Sequence, residues 1–197
     1  MLKVGVRLPQ LIGSAGDYLA DVSALEAGGA DTIWLEAGGP DGWVTLGALA
    51  SATRRVRLGY VLASGAFHDA AQVNAGIASA QKLSRGRIVL AVPAGDVVNA
   101  RTSGAKTFSL GSADGAPVDG VIHKLGAPGD LPDPHQTYIE VWGDIVMPAG
   151  REAWTATMNA YEEAGLTGVI LPWDARLIDL LRNAEPDDRA DLLMSTG

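Results

Sequence analysis

Residues 27–95 decide the fold, and they read AGGADTIWLEAGGPDGWVTLGALASATRRVRLGYVLASGAFHDAAQVNAGIASAQKLSRGRIVLAVPAG. Short apolar strands alternate here with longer segments of helical spacing. The predicted strands are 31–35, 56–62 and 87–92. One predicted helix runs from Trp43 to Thr53, and a second follows the N-cap residue Asp69. Strands separated in this way by helices indicate βαβ units and a parallel sheet.

The rest of the chain continues the pattern with one interruption. Segment 96–137 is rich in Gly, Pro, Ala, Asp and Ser, and its two short strand candidates lack convincing helices. Regular alternation returns after it. Further predicted elements are a strand at 3–8, a helix capped by Asp17 and closed by Gly28-Gly29, strands at 106–110, 118–125, 138–147 and 168–171, and helices at 151–163 and 175–181.

Eight predicted strands suit a parallel (β/α) barrel of the TIM type. Such barrels typically need about 250 residues and rarely fewer than about 200, whereas this chain has 197. We therefore expect one domain, 1–197, whose barrel is reduced or incomplete at the irregular region 96–137. Either the middle repeats lack helices, or the barrel is open. A doubly wound sheet is the rival, but no G-x-G-x-x-G follows the first strand.

The composition excludes several function classes. The chain has no cysteine, which rules out disulfides, thiolate metal sites and a cysteine nucleophile. Its net charge of −8 and lack of a basic cluster argue against nucleic-acid binding. No stretch approaches the roughly 20 apolar residues of a membrane span, and the start MLKVGVRLP lacks the features of a secretory signal. The expected location is the cytoplasm.

Four motifs, in order, carry a family resemblance. They are AGGADTIWLE at 27–36, TLGALASATRRVRLG at 45–59, QKLSRGRIVLAVPAG at 81–95, and YIEVWGDIVMPAGREAWTATMNAYEEAGLTGVILPW at 138–173. Their order and spacing resemble the luciferase-like monooxygenases and their F420-dependent relatives. A complete family member carries far more chain between the third and fourth motifs.

The resemblance implies a flavin or deazaflavin, FMN or F420, over the carboxyl end of the barrel. In the family, a bulge after the third strand, usually with a non-proline cis peptide, supports the tricyclic ring. The matching residues are Leu62, Ala63, Ser64 and Gly65, although Ser64-Gly65 also suits an ordinary strand-to-helix turn. Two further residues are assigned to cofactor binding: Gly95 after the fourth strand, and Trp173 after the last, which stacks on a ring or simply packs.

Two residues are candidates for catalysis. Glu36 ends the second strand, which places it at the barrel mouth where active sites lie. Many relatives follow this acid with a histidine, but Ala37 stands here, so a salt-bridged rim residue is the alternative. His68 matches a family turn before the next helix, with a half-buried capping residue as its alternative. The three histidines, His68, His123 and His135, lack ligand spacing, and no metal is expected.

The favoured interpretation is an oxidoreductase of the monooxygenase type that uses reduced flavin or F420 on a small organic substrate. The alternatives are a non-catalytic cofactor-binding barrel and a purely structural dimer. We expect a homodimer through the helices after strands two and three. The larger residues considered for that interface are Leu46, Leu49 and Ile77.

Overall fold

The computed structural model describes residues 1–9, 13–36, 41–113, 115–132 and 139–182. Eight strands form a closed barrel in sequence order, and every neighbouring pair is parallel. The strands are β1 (Lys3–Arg7), β2 (Thr32–Glu36), β3 (Arg57–Val61), β4 (Ile88–Pro93), β5 (Lys106–Leu110), β6 (Gly120–Lys124), β7 (Glu140–Asp144) and β8 (Gly168–Pro172). The predicted parallel barrel is confirmed, and it is closed.

Helices cover most of the barrel's outer surface. They are α1 (Ala15–Gly28), α2 (Gly42–Ala52), α3 (Ala70–Ser84), α4 (Val97–Arg101), α5 (Arg151–Glu163) and α6 (Arg176–Arg182). The short α4 was not predicted. Among the described residues, the β5–β6 connection contains no helix and the β6–β7 connection only the single turn Pro128–Asp130. No described helix is long and apolar enough to cross a bilayer.

Side chains of the loop after β5 replace a missing helix. Ala113 is fully buried, and Ala116 and Val118 pack against the main core. They cover the outer face of β5, where Thr107 and Ser109 are also buried. The Ser109 hydroxyl donates a hydrogen bond to the Ser112 carbonyl at 2.7 Å, which ties the loop to the strand. The barrel therefore closes in few residues because loop side chains complete the outer layer.

Capping side chains set where the helices begin. Asp69 caps α3 as predicted, since its carboxylate accepts a hydrogen bond from the Gln72 N–H at 3.1 Å. For α1 the prediction was wrong by one turn: Ser14 is the N-cap, and Asp17 lies within the first turn. The helix closes at Gly29, whose φ of 99° is the left-handed conformation that glycine adopts readily.

Three aromatic rings fill the barrel interior. Trp34, Phe108 and Trp142 are almost completely buried, with ring centroids 6.1 to 6.5 Å apart. Glycines on neighbouring strands make room for them. A Cβ at Gly59 would lie 2.2 Å from a ring carbon of Trp34, and one at Gly168 would lie 2.7 Å from Trp142. The interior is a packed core rather than a channel, so ligands have access only to its ends.

A buried ion cluster closes the amino end of the barrel. Glu140 accepts hydrogen bonds from Arg57 at 3.0 and 3.1 Å, from Lys3 at 3.2 Å and from the Trp142 indole at 3.0 Å. Arg57 also pairs with Asp31. Burial alone would raise the pKa of Glu140, but these hydrogen bonds and the Arg57 charge hold it at about 2. This end is a stabilising structure and stands opposite the site described next.

Candidate active site

The carboxyl end of the barrel, here called the mouth, carries the candidate site. Side chains alternate between the two faces of a strand, so the last inward-facing residue of a strand lies two residues beyond the inward-facing core residue before it. Glu36 lies two residues after Trp34 and Asp144 two after Trp142, which places both carboxylates on the mouth's floor. Active sites of parallel barrels lie at this end.

The floor of the mouth has two halves of different chemistry. The apolar half is formed by Val61, Pro93 and Leu110 on the adjacent strands β3, β4 and β5. The polar half holds Lys124, Asp144, Arg7 and Glu36, on β6, β7, β1 and β2, and Pro172 of β8 lies between Asp144 and Arg7. A ligand lying across the floor would therefore meet hydrocarbon on one side and charge on the other.

An ion triplet dominates the polar half. Arg7 Nη1 lies 2.6 Å from Asp144 Oδ2 and 3.4 Å from Glu36 Oε1. The Asp144 side chain is 17% exposed, whereas that of Glu36 is 38% exposed. Lys124 is exposed and has no ion pair with the described residues. Glu36 is thus a salt-bridged residue at the rim of the barrel, which was the alternative to a catalytic role in the sequence analysis. Its side chain also faces the mouth.

The turn after β3 lies beside the apolar half. Ala63, Ser64 and Gly65 are exposed, and Gly65 has a φ of 76°. The Gly65 N–H donates a hydrogen bond to Asp96 Oδ2 at 3.1 Å, which links this turn to the one after β4. Leu62 differs from its three neighbours: its side chain is buried in the core between barrel and helices. The described residues contain no cis peptide bond, so this turn lacks the one expected from the resemblance.

The remaining predicted site residues also lie at this end. Gly95 is exposed in a single turn, Ala94–Asp96. His68 lies in the turn Ala66–Asp69 and is exposed, not half-buried, and its side chain makes no hydrogen bond with the described residues. Glu36, Ser64 and Trp173 therefore all lie at the mouth.

Trp173 lies over the end of β8. Its backbone N–H donates a hydrogen bond to the Arg7 backbone carbonyl at 2.8 Å. The half-buried side chain packs on the core and lines a cavity of about 180 Å³ together with Leu8 and Tyr18. Burial raises the pKa of Tyr18 to about 12. The geometry favours packing for Trp173 and adds Tyr18 as a polar group beside the mouth.

His123 lies outside the mouth. Burial lowers the pKa of His123, which follows the inward-facing Ile122 and so points to the outer face of β6. His135 lies outside the described residues. Among the residues that are described, no three His, Asp or Glu side chains converge as metal ligands.

Sequence reasoning missed Arg7, Asp144, Lys124 and Asp96. The predicted strand at 138–147 ran three residues too far, because Ile145, Val146 and Met147 continue the apolar run. Asp144 therefore seemed to lie inside a strand, although it is the last residue of β7. A usable signal was present: Arg7 and Lys124, like Glu36, are charged residues at strand ends, where a parallel barrel gathers them.

The fold is a closed barrel of eight parallel strands, of the TIM type, and the candidate site lies at its mouth. The sequence profile described as luciferase-like monooxygenase matches residues 5–109, more than half of the 197 residues. The chain belongs to this family. The match ends within β5, so the resemblance of segment 138–173 stays a prediction. No curated relative matches the chain by sequence.

Two solved structures share the fold. A coenzyme F420-dependent tetrahydromethanopterin reductase from Methanopyrus kandleri superposes with a TM-score of 0.73 at 9% identity, covering 92% of this chain and 96% of that one. An F420-dependent secondary alcohol dehydrogenase, in complex with an F420-acetone adduct, gives a TM-score of 0.71 at 14% identity, covering 94% and 98%. At these identities the likeness concerns the fold alone.

Proposed function

We propose that this protein is a flavin- or F420-dependent oxidoreductase, of the monooxygenase or dehydrogenase type, that acts on a small organic substrate at the mouth. The observation that carries the proposal is the divided floor, which offers an apolar bed beside exposed turns and a charged half opposite. Family membership and the two F420-dependent neighbours support the same class of chemistry. Both FMN and F420 remain candidates for the cofactor.

The residues present fit a planar cofactor. A Cβ added at Gly65 or Gly95 would meet no atom within 4 Å, so the backbone there is open to close approach by a ring. Val61 and Leu110 provide an apolar surface beside these turns. The exposed turn 63–65 and Gly95 would hold the ring. When bound, the cofactor supplies the hydride or oxygen chemistry, and the protein contributes orientation and electrostatics.

The charged half would handle the substrate's reacting polar group. Glu36 has the more exposed carboxylate of the triplet, and its Oε atoms can accept a proton from a substrate hydroxyl or return one. His68, exposed on the neighbouring side of the mouth, is the second candidate for a proton-transfer or polar contact. Trp34 and Trp142 block the barrel axis beneath and exclude water from below.

Cofactor titration tests the proposal directly. FMN and F420 are titrated separately into the purified protein, with cofactor fluorescence and calorimetry as readouts. We expect one of them to bind with one site per chain. Gly65→Ala should weaken binding, because it adds a side chain at a left-handed φ in the ring-supporting turn. Gly104→Ala is the matched control, since Gly104 has a φ of 74° and equally open space but lies at the amino end, before β5.

Turnover is then followed by the visible absorption of the bound cofactor, with a panel of small alcohols and aldehydes, and by oxygen consumption with reduced FMN. Binding with turnover supports the oxidoreductase. Binding without turnover favours the non-catalytic barrel. A protein that binds neither cofactor contradicts the proposal and favours the structural alternative.

We also propose a homodimer through α2 and α3, but with other contact residues than those predicted from the sequence. Leu46, Leu49 and Ile77 are fully buried in the protomer's own core, so they cannot lie at an interface. Val44 and Leu83 are instead 71% and 62% exposed on these two helices. Light scattering of Leu83→Glu against the unmodified chain tests the dimer, and an unchanged mass contradicts this interface.

A further inference from the structure

Two ion pairs bridge β8 from the same neighbouring strands, one at each end of the barrel. At the amino end, Lys3 of β1 pairs with Glu140 of β7 at 3.2 Å. At the mouth, Arg7 of β1 pairs with Asp144 of β7 at 2.6 Å. The β8 residues in register with Lys3 and Arg7 are Gly168 and Pro172, which carry no long side chains. Side chains of β1 and β7 can therefore meet across β8.

The pair at the mouth differs because a second carboxylate competes for its cation. Arg7 Nη1 is 2.6 Å from Asp144 Oδ2 but 3.4 Å from Glu36 Oε1. The first distance is that of a charge-assisted hydrogen bond, and the second is that of a loose ion pair. The guanidinium is a rigid planar fork, so the shorter contact fixes its orientation. Asp144 is also the more buried of the two acids.

We infer that Asp144 is a positioning residue that acts through Arg7 on Glu36. By holding the guanidinium, Asp144 prevents it from closing on Glu36, and the Glu36 carboxylate keeps an oxygen available at the mouth. Glu36 keeps the Arg7 guanidinium as a loose ion-pair partner at 3.4 Å. This inference rests on the proposed function for its catalytic meaning, but the arrangement of the three side chains is testable without any cofactor.

The two variants of the bridge should act on Glu36 in opposite ways. Arg7→Met removes the cation that pairs with Glu36, whereas Asp144→Ala frees the guanidinium to pair fully with Glu36. Once Arg7 is gone, removing Asp144 no longer frees a guanidinium and only relieves the direct repulsion between the two carboxylates, so it should affect Glu36 much less than it does when Arg7 is present. Residues that act through one another are non-additive in this way.

Carbon NMR of the glutamate carboxyl groups in the cofactor-free protein provides the test. The Glu36 resonance is assigned by its loss in Glu36→Gln. At neutral pH we expect Arg7→Met and Asp144→Ala to move it in opposite directions, and the double variant to differ from Arg7→Met by much less than Asp144→Ala differs from the unmodified protein. Lys3→Met is the matched control. It breaks the equivalent bridge at the other end, and it should move the Glu140 resonance but not that of Glu36.

Kinetics add a second readout if a cofactor binds. Misplacing a catalytic group by about 1 Å can cost on the order of 100-fold in rate, so Asp144→Ala should lower kcat by up to about that factor. Cofactor affinity should stay unchanged, and the loss should be much smaller in the Arg7→Met background.

Three results overturn the inference. The first is a Glu36 resonance that stays in place in Asp144→Ala. The second is a shift in the same direction in the two single variants. The third is weaker cofactor binding in Arg7→Met, as expected for a direct ligand contact. A protein that binds neither FMN nor F420 would refute the proposed function, while the NMR result would still decide the arrangement of the three side chains.

Discussion

Replacing Gly59 by alanine should destabilise the barrel strongly, because the new methyl group would enter the space of the Trp34 ring. The added Cβ would lie 2.2 Å from Trp34 Cε3 and 2.5 Å from Cδ2. Carbon atoms in contact prefer separations of about 3.5–4.0 Å, so the overlap exceeds about 1 Å. The clash involves a ring carbon rather than the end of a flexible side chain, and it cannot be relieved by a small rotation.

The ring has little room to move away. Trp34 is 1% exposed and is flanked by Phe108 at 6.1 Å and Trp142 at 6.5 Å between ring centroids. On its other edge, a Cβ at Gly5 would already lie 2.8 Å from the indole nitrogen. Overpacking of a close-packed core typically lowers the free energy of unfolding by about 1–3 kcal/mol. We expect Gly59→Ala to fall at the upper end of this range. About 3 kcal/mol corresponds to a fall in Tm of roughly 6–12 °C for a chain of this size.

Thermal and urea unfolding, followed by tryptophan fluorescence, measure the effect. The control is Gly129→Ala, since Gly129 is exposed and a Cβ there meets nothing within 4 Å. It should change the free energy of unfolding by no more than about 0.5 kcal/mol. In a Trp34→Phe background the cost of Gly59→Ala should shrink, because the smaller ring vacates the space. Equal stabilities of the two glycine variants would refute this account of the interior.

The remaining predictions concern the amino-end cluster, a helix cap and the mouth. Glu140→Gln should lower the free energy of unfolding by about 3 kcal/mol at pH 7, because the pKa of Glu140 is about 2 in the folded state against an ordinary value of 4.5. This stabilisation is present above about pH 4.5 and is lost as the pH falls toward 2. Unfolding measured at pH 7 and at pH 3 should therefore show a smaller difference between variant and wild type at pH 3, and an equal difference would contradict the prediction. Asp41→Ala should cost about 1 kcal/mol, because Asp41 caps α2 by accepting from the Trp43 and Val44 N–H groups at 3.0 and 3.4 Å; Asp41→Ser should recover most of the melting temperature. Asp96→Ala should weaken cofactor binding, because it removes the carboxylate that accepts the hydrogen bond from the Gly65 N–H. One hydrogen bond is worth about 1 kcal/mol, which corresponds to an increase in Kd of about fivefold. An unchanged Kd would show that this turn does not support the cofactor.

The regular elements were predictable because local spacing encodes them. The helix at 151–163 and the strand at 106–110 match the prediction at both ends. The strands β3 and β4 lie within one residue of their predicted limits. Glycine and capping residues mark these boundaries in the sequence itself.

The candidate site was predictable only in part. Parallel strands must bring their carboxyl ends together, so the position of Glu36 and of the turn after β3 followed from topology. The Arg7–Asp144 pair beside Glu36 did not follow, because these two residues are 137 apart in sequence. Nothing in a single sequence indicates that β8 carries Pro172 in the register that lets their side chains meet. The prediction of the interface residues was wrong for a related reason. The apolar face of a helix does not by itself indicate whether the protomer's own barrel or a second copy of the chain covers it.

The amino-acid sequence by itself determined the alternation of strands and helices, the parallel arrangement and the family, because each depends on the order of residues close together in the chain. The tertiary structure decided that the barrel closes, that loop side chains replace helices around β5, and that Glu36 shares one guanidinium with Asp144. Those outcomes depend on the register between strands far apart in sequence. Register is fixed by how three aromatic rings and the opposing glycines fit inside the barrel, and that fit exists only once all eight strands are in place.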